Sequence, residues 1–397
     1  MAPSIALFDY FISDPHATTG RAKPTAYGAI HFQLLEALCD DYDFTVFAID
    51  FDNPRPDRIN FVPVRAVLRP LALLFITYHL GALWAYARER LRRRRPFDVV
   101  QSVESNFLLP TVSHAQFCHK AFLRKGWPVA RPSGVRRPLR RIDYQLRRAV
   151  EPFVYRRAHH VATSSTGLLD DIVEAYPWVA DRCRVVGNPI DLTTFTPGAD
   201  FDRRAVRTEL GVADDDVLLA FTALGDFELK GLPLLFDALT ALGRADVHLV
   251  CLGGPPHLVE DYQKRASRAG LDKQVHVLGM QPDVRPFLWA ADAFVFPSAY
   301  ESFSVATAHA AAAGLPVILT PFHLAKTIVR DGENGYLIER SAPSIVDALE
   351  RFLANPPAAR VQMGEAARAA VQPFSPDRFV AGWRSLYAQE QTSPVSN

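Results

Sequence analysis

Residues 297–335 read PSAYESFSVATAHAAAAGLPVILTPFHLAKTIVRDGENG, and their pattern sets the fold class. An apolar run, Ala293 to Phe296, stops at Pro297. A polar turn with Tyr300, Glu301, Ser302 and Ser304 follows, then small residues from about Val305 to Ala313 closed by Gly314. Pro316 to Thr320 is apolar again. Strand, loop, helix and strand in that order predict a parallel βαβ unit. Ligands in such sheets sit beyond the carboxyl ends of the strands, where the helix begins. The helix dipole and free N–H groups there favour an anion such as a phosphate. Glu301 repels a phosphate and is suited to accept hydrogen bonds from hydroxyls. An anion seat beside a hydroxyl-binding carboxylate points to a phosphorylated sugar.

The same stretch resembles the nucleotide-sugar site of the retaining glycosyltransferases of family 4, which have the GT-B fold. Their pattern is P-S-x-x-E-G-F-G-x-x-x-x-E-A-x-A-x-G-x-P-V. Pro297, Ser298, Glu301, Phe303, Ala310, Ala312, Gly314, Pro316 and Val317 match it. Asp331, Gly332, Asn334 and Gly335 match the D-G-x-N-G that follows. His309 stands where the family has a second glutamate, the one that usually holds the ribose hydroxyls. A neutral imidazole can accept one hydrogen bond there but lacks the paired oxygens of a carboxylate.

Upstream, Val217 to Ala223 reads as a strand, and GDFELKG, Gly225 to Gly231, as a polar turn into a helix from Leu232 to Leu242. Lys230 near that helix start is a point charge for a diphosphate. The family has an arginine and a lysine in this loop; the lysine is matched by Lys230, and Gly225 takes the arginine's place. The wording is similar to G-S-D-F-x-x-K-G of a bacterial lipopolysaccharide glucosyltransferase subgroup. Strands at Val247–Gly253 and Val275–Leu278 end in glycines, and in the family such turns, here Gly279 and Met280, line the pocket for the base.

The amino-terminal half follows the family only in general pattern. Ser4 to Phe8 is a strand, and a polar loop with Thr19 and Gly20 lies where family members approach donor phosphate and acceptor. His114 ends a strand near a position whose histidine often contacts the donor sugar, while His119 is assigned to the acceptor side. VGNPIDLTTFTP, from Val186, resembles the family's interdomain V-x-N-G-V-D-x-x-x-F-x-P and sets a domain boundary.

Length and composition suit two or three globular domains. Cys39, Cys118, Cys183 and Cys251 have neither metal-ligand nor disulfide spacing, which points to a reducing cytoplasm, and the start of the chain lacks signal-peptide character. Residues 1–190 hold 26 Lys and Arg against 18 Asp and Glu, and the remainder holds 18 against 25, so a basic half meets an anionic partner. Pro70 to Ala87 is strongly apolar and Arg88 to Arg95 strongly basic. A crossover helix on a sheet is the preferred reading, over a membrane span or a helix at the bilayer interface. Arg136, Arg137, Arg140, Arg141, Arg147 and Arg148 are expected to crowd one side of a further helix. Nucleic-acid motifs are absent.

The resemblance therefore implies an α/β chain of two Rossmann-like domains facing across a cleft: residues 1–187 for the acceptor, 188–372 for the nucleotide sugar, and 373–397 with a helix crossing back. It implies a retaining, metal-independent hexosyltransferase that uses a nucleotide-diphosphate sugar as co-substrate and no cofactor. The expected acceptor is a saccharide, lipid-linked or of the cell envelope, and an anionic membrane surface is the further expected partner. Glu301 and His114 are the expected catalytic residues. Lys230, Gly225, Phe303, Ser304, Val305, His309, Gly279 and Met280 would bind the donor, and Thr19, Gly20 and His119 the acceptor. His309 and Gly225 leave open an inactive binding or partner subunit; an epimerase on the same fold is the other alternative.

Overall fold

In the computed structural model, which describes residues 2–14, 26–130 and 136–392, the deciding stretch folds as strand, loop, helix and strand. The chain divides into two units. The first takes the described residues of Met1–Arg124, Arg131–Pro189 and Pro376–Asn397, and the second those of Lys125–Ala130 and Ile190–Ser375. The changeovers fall at 189/190 and 375/376, against the expected 187/188 and 372/373. The excursion Lys125–Ala130 has no sequence signal.

The first unit is built on a seven-stranded parallel sheet. Its strands are β1 (Ser4–Phe8), β2 (Asp43–Ala48), β3 (Asn60–Pro63), β4 (Val99–Val103), β5 (Val112–Ala115), β6 (His160–Thr163) and β7 (Cys183–Val185). The order is β3-β2-β1-β4-β5-β6-β7, with every pairing parallel. Every residue of β1 and β4 is buried, as expected when both faces of a parallel sheet are covered. Helix α1 (Ala26–Leu38) puts Leu34, Leu35 and Leu38 into one core. Helix α2 (Leu71–Arg93) joins the apolar and basic runs into one crossover helix and turns Leu74, Phe75, Tyr78 and Ala82 inward. Among the described residues no helix is long and apolar enough to cross a membrane.

Helix α3 (Arg136–Arg157) does not gather all its arginines on one side. Arg147 is buried, with Nε 3.1 Å from both oxygens of Asp143, because an interior guanidinium must be paired.

The second unit has a six-stranded parallel sheet. Its strands are β8 (Val217–Thr222), β9 (Val247–Leu252), β10 (Val275–Gly279), β11 (Ala293–Phe296), β12 (Val317–Leu319) and β13 (Gly335–Leu337), in the order β10-β9-β8-β11-β12-β13. A one-turn helix, Phe227–Lys230, precedes α4 (Leu232–Leu242). Helix α5 (Val305–Ala312) follows β11. The order reverses between β8 and β11, so the loops after these two strands are neighbours at the topological switch point. Helix α6 (Pro376–Thr392) belongs to the first unit, where Phe379, Trp383, Leu386 and Tyr387 join the core of α1 and β2.

Candidate functional site

The loops at that switch point bring Lys230 and Glu301 together, although the sequence separates them by 71 positions. Lys230 Nζ donates to Glu301 Oε1, and Ser298 Oγ donates to the same oxygen over 3.0 Å. Ala299 N–H donates to Leu229 O over 2.9 Å, which ties the two loops through their backbones. Gly231 makes that approach feasible: its φ is 83°, and a Cβ there would lie 2.4 Å from Pro297 O. Both charged side chains are largely but not wholly covered, at 21% and 13% exposure for Lys230 and Glu301. An incoming ligand can therefore reach them while the protein fixes their positions.

Helix α5 begins beside this pair. Ser304 adopts a left-handed φ of 66° and caps the helix, its Oγ accepting from Thr307 N–H. The first N–H groups of any helix have no partner in a preceding turn, which applies to Val305 and Ala306. Phe303 is buried against Phe374, with ring centroids 5.4 Å apart, so it anchors the turn from below. Lys230 and the start of α5 thus supply two kinds of positive potential, and Glu301 one carboxylate held from behind by Ser298.

The ends of β8, β9 and β10 form a neighbouring floor. Gly253 (φ 96°) would clash through a Cβ with Ala223 O at 2.1 Å, so the backbones of the β8 and β9 turns touch. Gly279, at the end of β10, also has positive φ, and its carbonyl accepts from Gly253 N–H over 2.6 Å. Leu224 and Met280 follow β8 and β10 and are exposed, at 71% and 59%. Gly225 borders open space and touches nothing that would orient a phosphate. Its site lacks the cation that an arginine would have contributed.

His309 lies on α5, its ring stacked on Phe195 with centroids 4.2 Å apart and planes 24° from parallel. Burial pushes its pKa down to about 4, so the imidazole is neutral near pH 7. Phe195 is the residue sequence reasoning missed here; it was matched only as part of the interdomain motif. Ser298 was likewise matched without a role. The D-G-x-N-G segment proves structural: Asn334 accepts from Arg330 N–H at 2.8 Å and donates to Ile328 O at 2.8 Å.

The histidines of the first unit sit elsewhere than expected. His114 is fully buried in β5 rather than turned toward an opening. Gln116 Nε2 donates to its Nε2 over 2.6 Å, and its Nδ1 lies 2.8 Å from His31 Nε2. Since an amide N–H can only donate, His114 Nε2 accepts and its proton resides on Nδ1, directed at His31. His31 then carries its proton on Nδ1, 3.0 Å from Asp9 Oδ2. Gln116 and Asn188 close the chain with two mutual amide hydrogen bonds of 2.8 and 3.0 Å. Burial, then the neighbouring His31, drives the His114 pKa well below that of free imidazole. With both ring nitrogens engaged, His114 has no atom left for a sugar.

His119 is also interior. Glu151 Oε1 accepts from its Nδ1 over 2.7 Å and from its backbone N–H over 2.5 Å, and Tyr176 Oη donates to Glu151 Oε2 over 2.9 Å. This buried carboxylate consumes the histidine expected on the acceptor side. Thr19 and Gly20 lie outside the described residues. Among the described residues no three His, Cys, Asp or Glu side chains gather to hold a metal, and the four cysteines are free and buried.

Two family models match, each on one part of the chain. Residues 32–194 match Glycosyltransferase Family 4, and residues 215–355 match Glycosyl transferases group 1. The chain is 34% identical over 229 residues to the D-inositol 3-phosphate glycosyltransferase of Xylanimonas cellulosilytica. That alignment takes 55% of this chain and 54% of the relative, so the chain spans about half the length of that protein. Sucrose-phosphate synthase of Thermosynechococcus elongatus superposes with a TM-score of 0.75 at 20% identity, over 98% of both chains. Anabaena HepE in complex with UDP-glucose does so with 0.70 at 18%, over 97% of this chain and 99% of that one. These two structures establish a likeness of fold.

Proposed function

Because the chain belongs to the group 1 glycosyltransferases of the GT-B fold, we propose that it moves a sugar from a nucleoside-diphosphate donor to a hydroxyl of a saccharide or lipid-linked acceptor, with retention at the anomeric carbon. The observation that carries this reading is the Lys230–Glu301–Ser298 contact beside the start of α5. In the free protein Lys230 and Glu301 neutralise each other. A donor would separate their tasks. The diphosphate takes the lysine ammonium and the N–H groups at Phe303 to Val305. Glu301, still held by Ser298, turns its free lone pairs to the sugar hydroxyls.

As the bond from the anomeric carbon to the diphosphate breaks, its electron pair passes to the leaving phosphate oxygen. Lys230 and the helix dipole oppose the charge that grows there, and such preorganised donors act more strongly in the transition state than on the donor. The acceptor hydroxyl oxygen bonds to the anomeric carbon from the leaving-group face and passes its proton to the departing phosphate oxygen. Lysine and backbone N–H groups supply the positive charge, so the scheme needs no metal. Leu224 and Met280, flanking the glycine turns, suit the flat faces of a base. Neutral His309 offers the ribose one hydrogen bond in place of two. Thr19 and Gly20 are assigned to the acceptor, and the reaction to the cytoplasmic side, in envelope polysaccharide synthesis.

Incubation with nucleotide sugars and candidate acceptors, followed by proton NMR of the product, tests this. Release of nucleoside diphosphate with the anomeric configuration preserved is the expected result, and an inverted product would sink the retaining scheme. A second reading is a non-catalytic partner subunit. It rests on Gly225 and His309, which replace a cation and a carboxylate. Tight donor binding without turnover in the presence of acceptor favours it.

A further inference from the structure

The solvent faces of α2 and α3 are unlike the rest of the described surface. Of the 18 exposed large apolar side chains, 11 lie on α2, on Val67 and Leu68 just before it, or on α3. On α2, Leu73, Ile76, Leu80, Trp84 and Leu91 recur at helical spacing and make one stripe. Leu80 and Trp84 are each 65% exposed and Leu91 79%. The opposite side of α2 is the one packed on the sheet, so this stripe is a second apolar face that the unit itself leaves uncovered. Helix α3 packs alongside α2 and adds Leu139, Ile142 and Phe153.

The charge on these faces is of one sign. The two helices contain three acids, Glu89, Asp143 and Glu151, and all three are buried. They are held by Arg92, by Arg147 and by His119 with Tyr176. The exposed ionisable side chains are arginines: Arg88, Arg90 and Arg92 on α2, and Arg140, Arg148 and Arg157 among those on α3. The Arg88 guanidinium lies 4.9 Å over the Trp84 ring, so cation and apolar surface share one patch.

Charge decides between occupants. A second copy of the chain would set arginines against arginines with no acid between them. An anionic lipid interface satisfies both halves of the pattern: apolar side chains enter the acyl boundary while arginine stems reach back to the phosphates. We infer that α2 and α3 form a docking face on which the first unit lies flat against an anionic membrane. This goes beyond the transfer reaction and does not depend on it, since lipid binding is read without turnover.

The test is co-sedimentation of the full chain with phosphatidylcholine vesicles, with and without phosphatidylglycerol. Binding to the anionic vesicles only, weakening as salt rises, is expected. Leu80→Ser with Trp84→Ser should reduce partitioning about tenfold or more. Arg88→Gln and Arg90→Gln should each reduce it about fivefold. Unchanged thermal unfolding of these surface variants, and a parallel loss with Phe153→Ser on α3, separates docking from misfolding. No preference for anionic vesicles, wild-type binding by the Leu80/Trp84 variant, or a dimer in ultracentrifugation that the same variant abolishes would each overturn the inference.

Discussion

Each parallel sheet gathers polar side chains beyond the carboxyl ends of its strands, and the two gatherings are built to opposite ends. In the first unit, His31, His114, Gln116 and Asn188 hand hydrogen bonds along a buried chain whose His31 end lies 3.0 Å from the buried Asp9 carboxylate. In the second, Lys230 and Glu301 are paired yet partly exposed, beside helix N–H groups without an internal partner. A side chain whose atoms are all spent inside holds a fold together. One that keeps a lone pair or a proton within reach of solvent can bind. Residue type alone does not separate the cases, since a histidine at the end of a strand looks catalytic by every local criterion.

The sharpest way to break this contrast is Glu301→Ala. Turnover should fall about a hundredfold or more, as on removing a preorganised transition-state contact, with thermal unfolding almost unchanged. Comparable turnover in the variant would move the chemistry elsewhere. The counterpart is His114→Ala, expected to cost about 3 kcal/mol in denaturant unfolding because it opens a cavity and strands the Gln116 and His31 groups. Nucleotide affinity should hold in the fraction that remains folded; a selective loss of donor binding would return His114 to the site. Next comes Lys230→Met. Loss of a charge-assisted contact to phosphate should weaken nucleoside diphosphate binding by about 2 kcal/mol in calorimetry, with less effect on a nucleoside lacking phosphates.

The smallest effect is a titration. The folded-state value of His309, about 4, lies below the 6.5 of free imidazole. The unfolded chain therefore takes up a proton first as pH falls, and this contribution to stability is present above 6.5 and lost toward 4. Between pH 6.5 and 5 the wild type should lose about 1.5 kcal/mol more than His309→Gln in chemical unfolding. Parallel pH profiles would show that the ring is not held neutral by burial.

Much of the second unit is legible in its sequence, because its strands are short apolar runs ended by Pro or Gly and its helix starts are polar. The strand Ala293–Phe296 and the helix Leu232–Leu242 come out residue for residue. The Lys230–Glu301 contact is not written locally: each residue reads as a loop charge, and only the sheet order brings the loops together. The stacking of Phe195 on His309 spans distant segments in the same way. In the first unit the misplacement of His114 and His119 has a common cause. Their partners, His31 and Glu151, lie on helices far along the chain, and burial is a property of the assembled sheet. Arg147 departed from its expected face because Asp143, one turn earlier, faces inward with it.

The proposed donor site lies in the second unit. Calorimetric titration of UDP-, GDP-, ADP- and dTDP-linked sugars, and of the matching free nucleotides, into wild type and Glu301→Ala tests it most directly. One donor should bind the wild type more tightly than its free nucleotide, and that sugar-dependent gain should vanish in Glu301→Ala while the free nucleotide binds both alike. Equal donor affinity in the two proteins, or no binding of any donor or nucleotide, would contradict it.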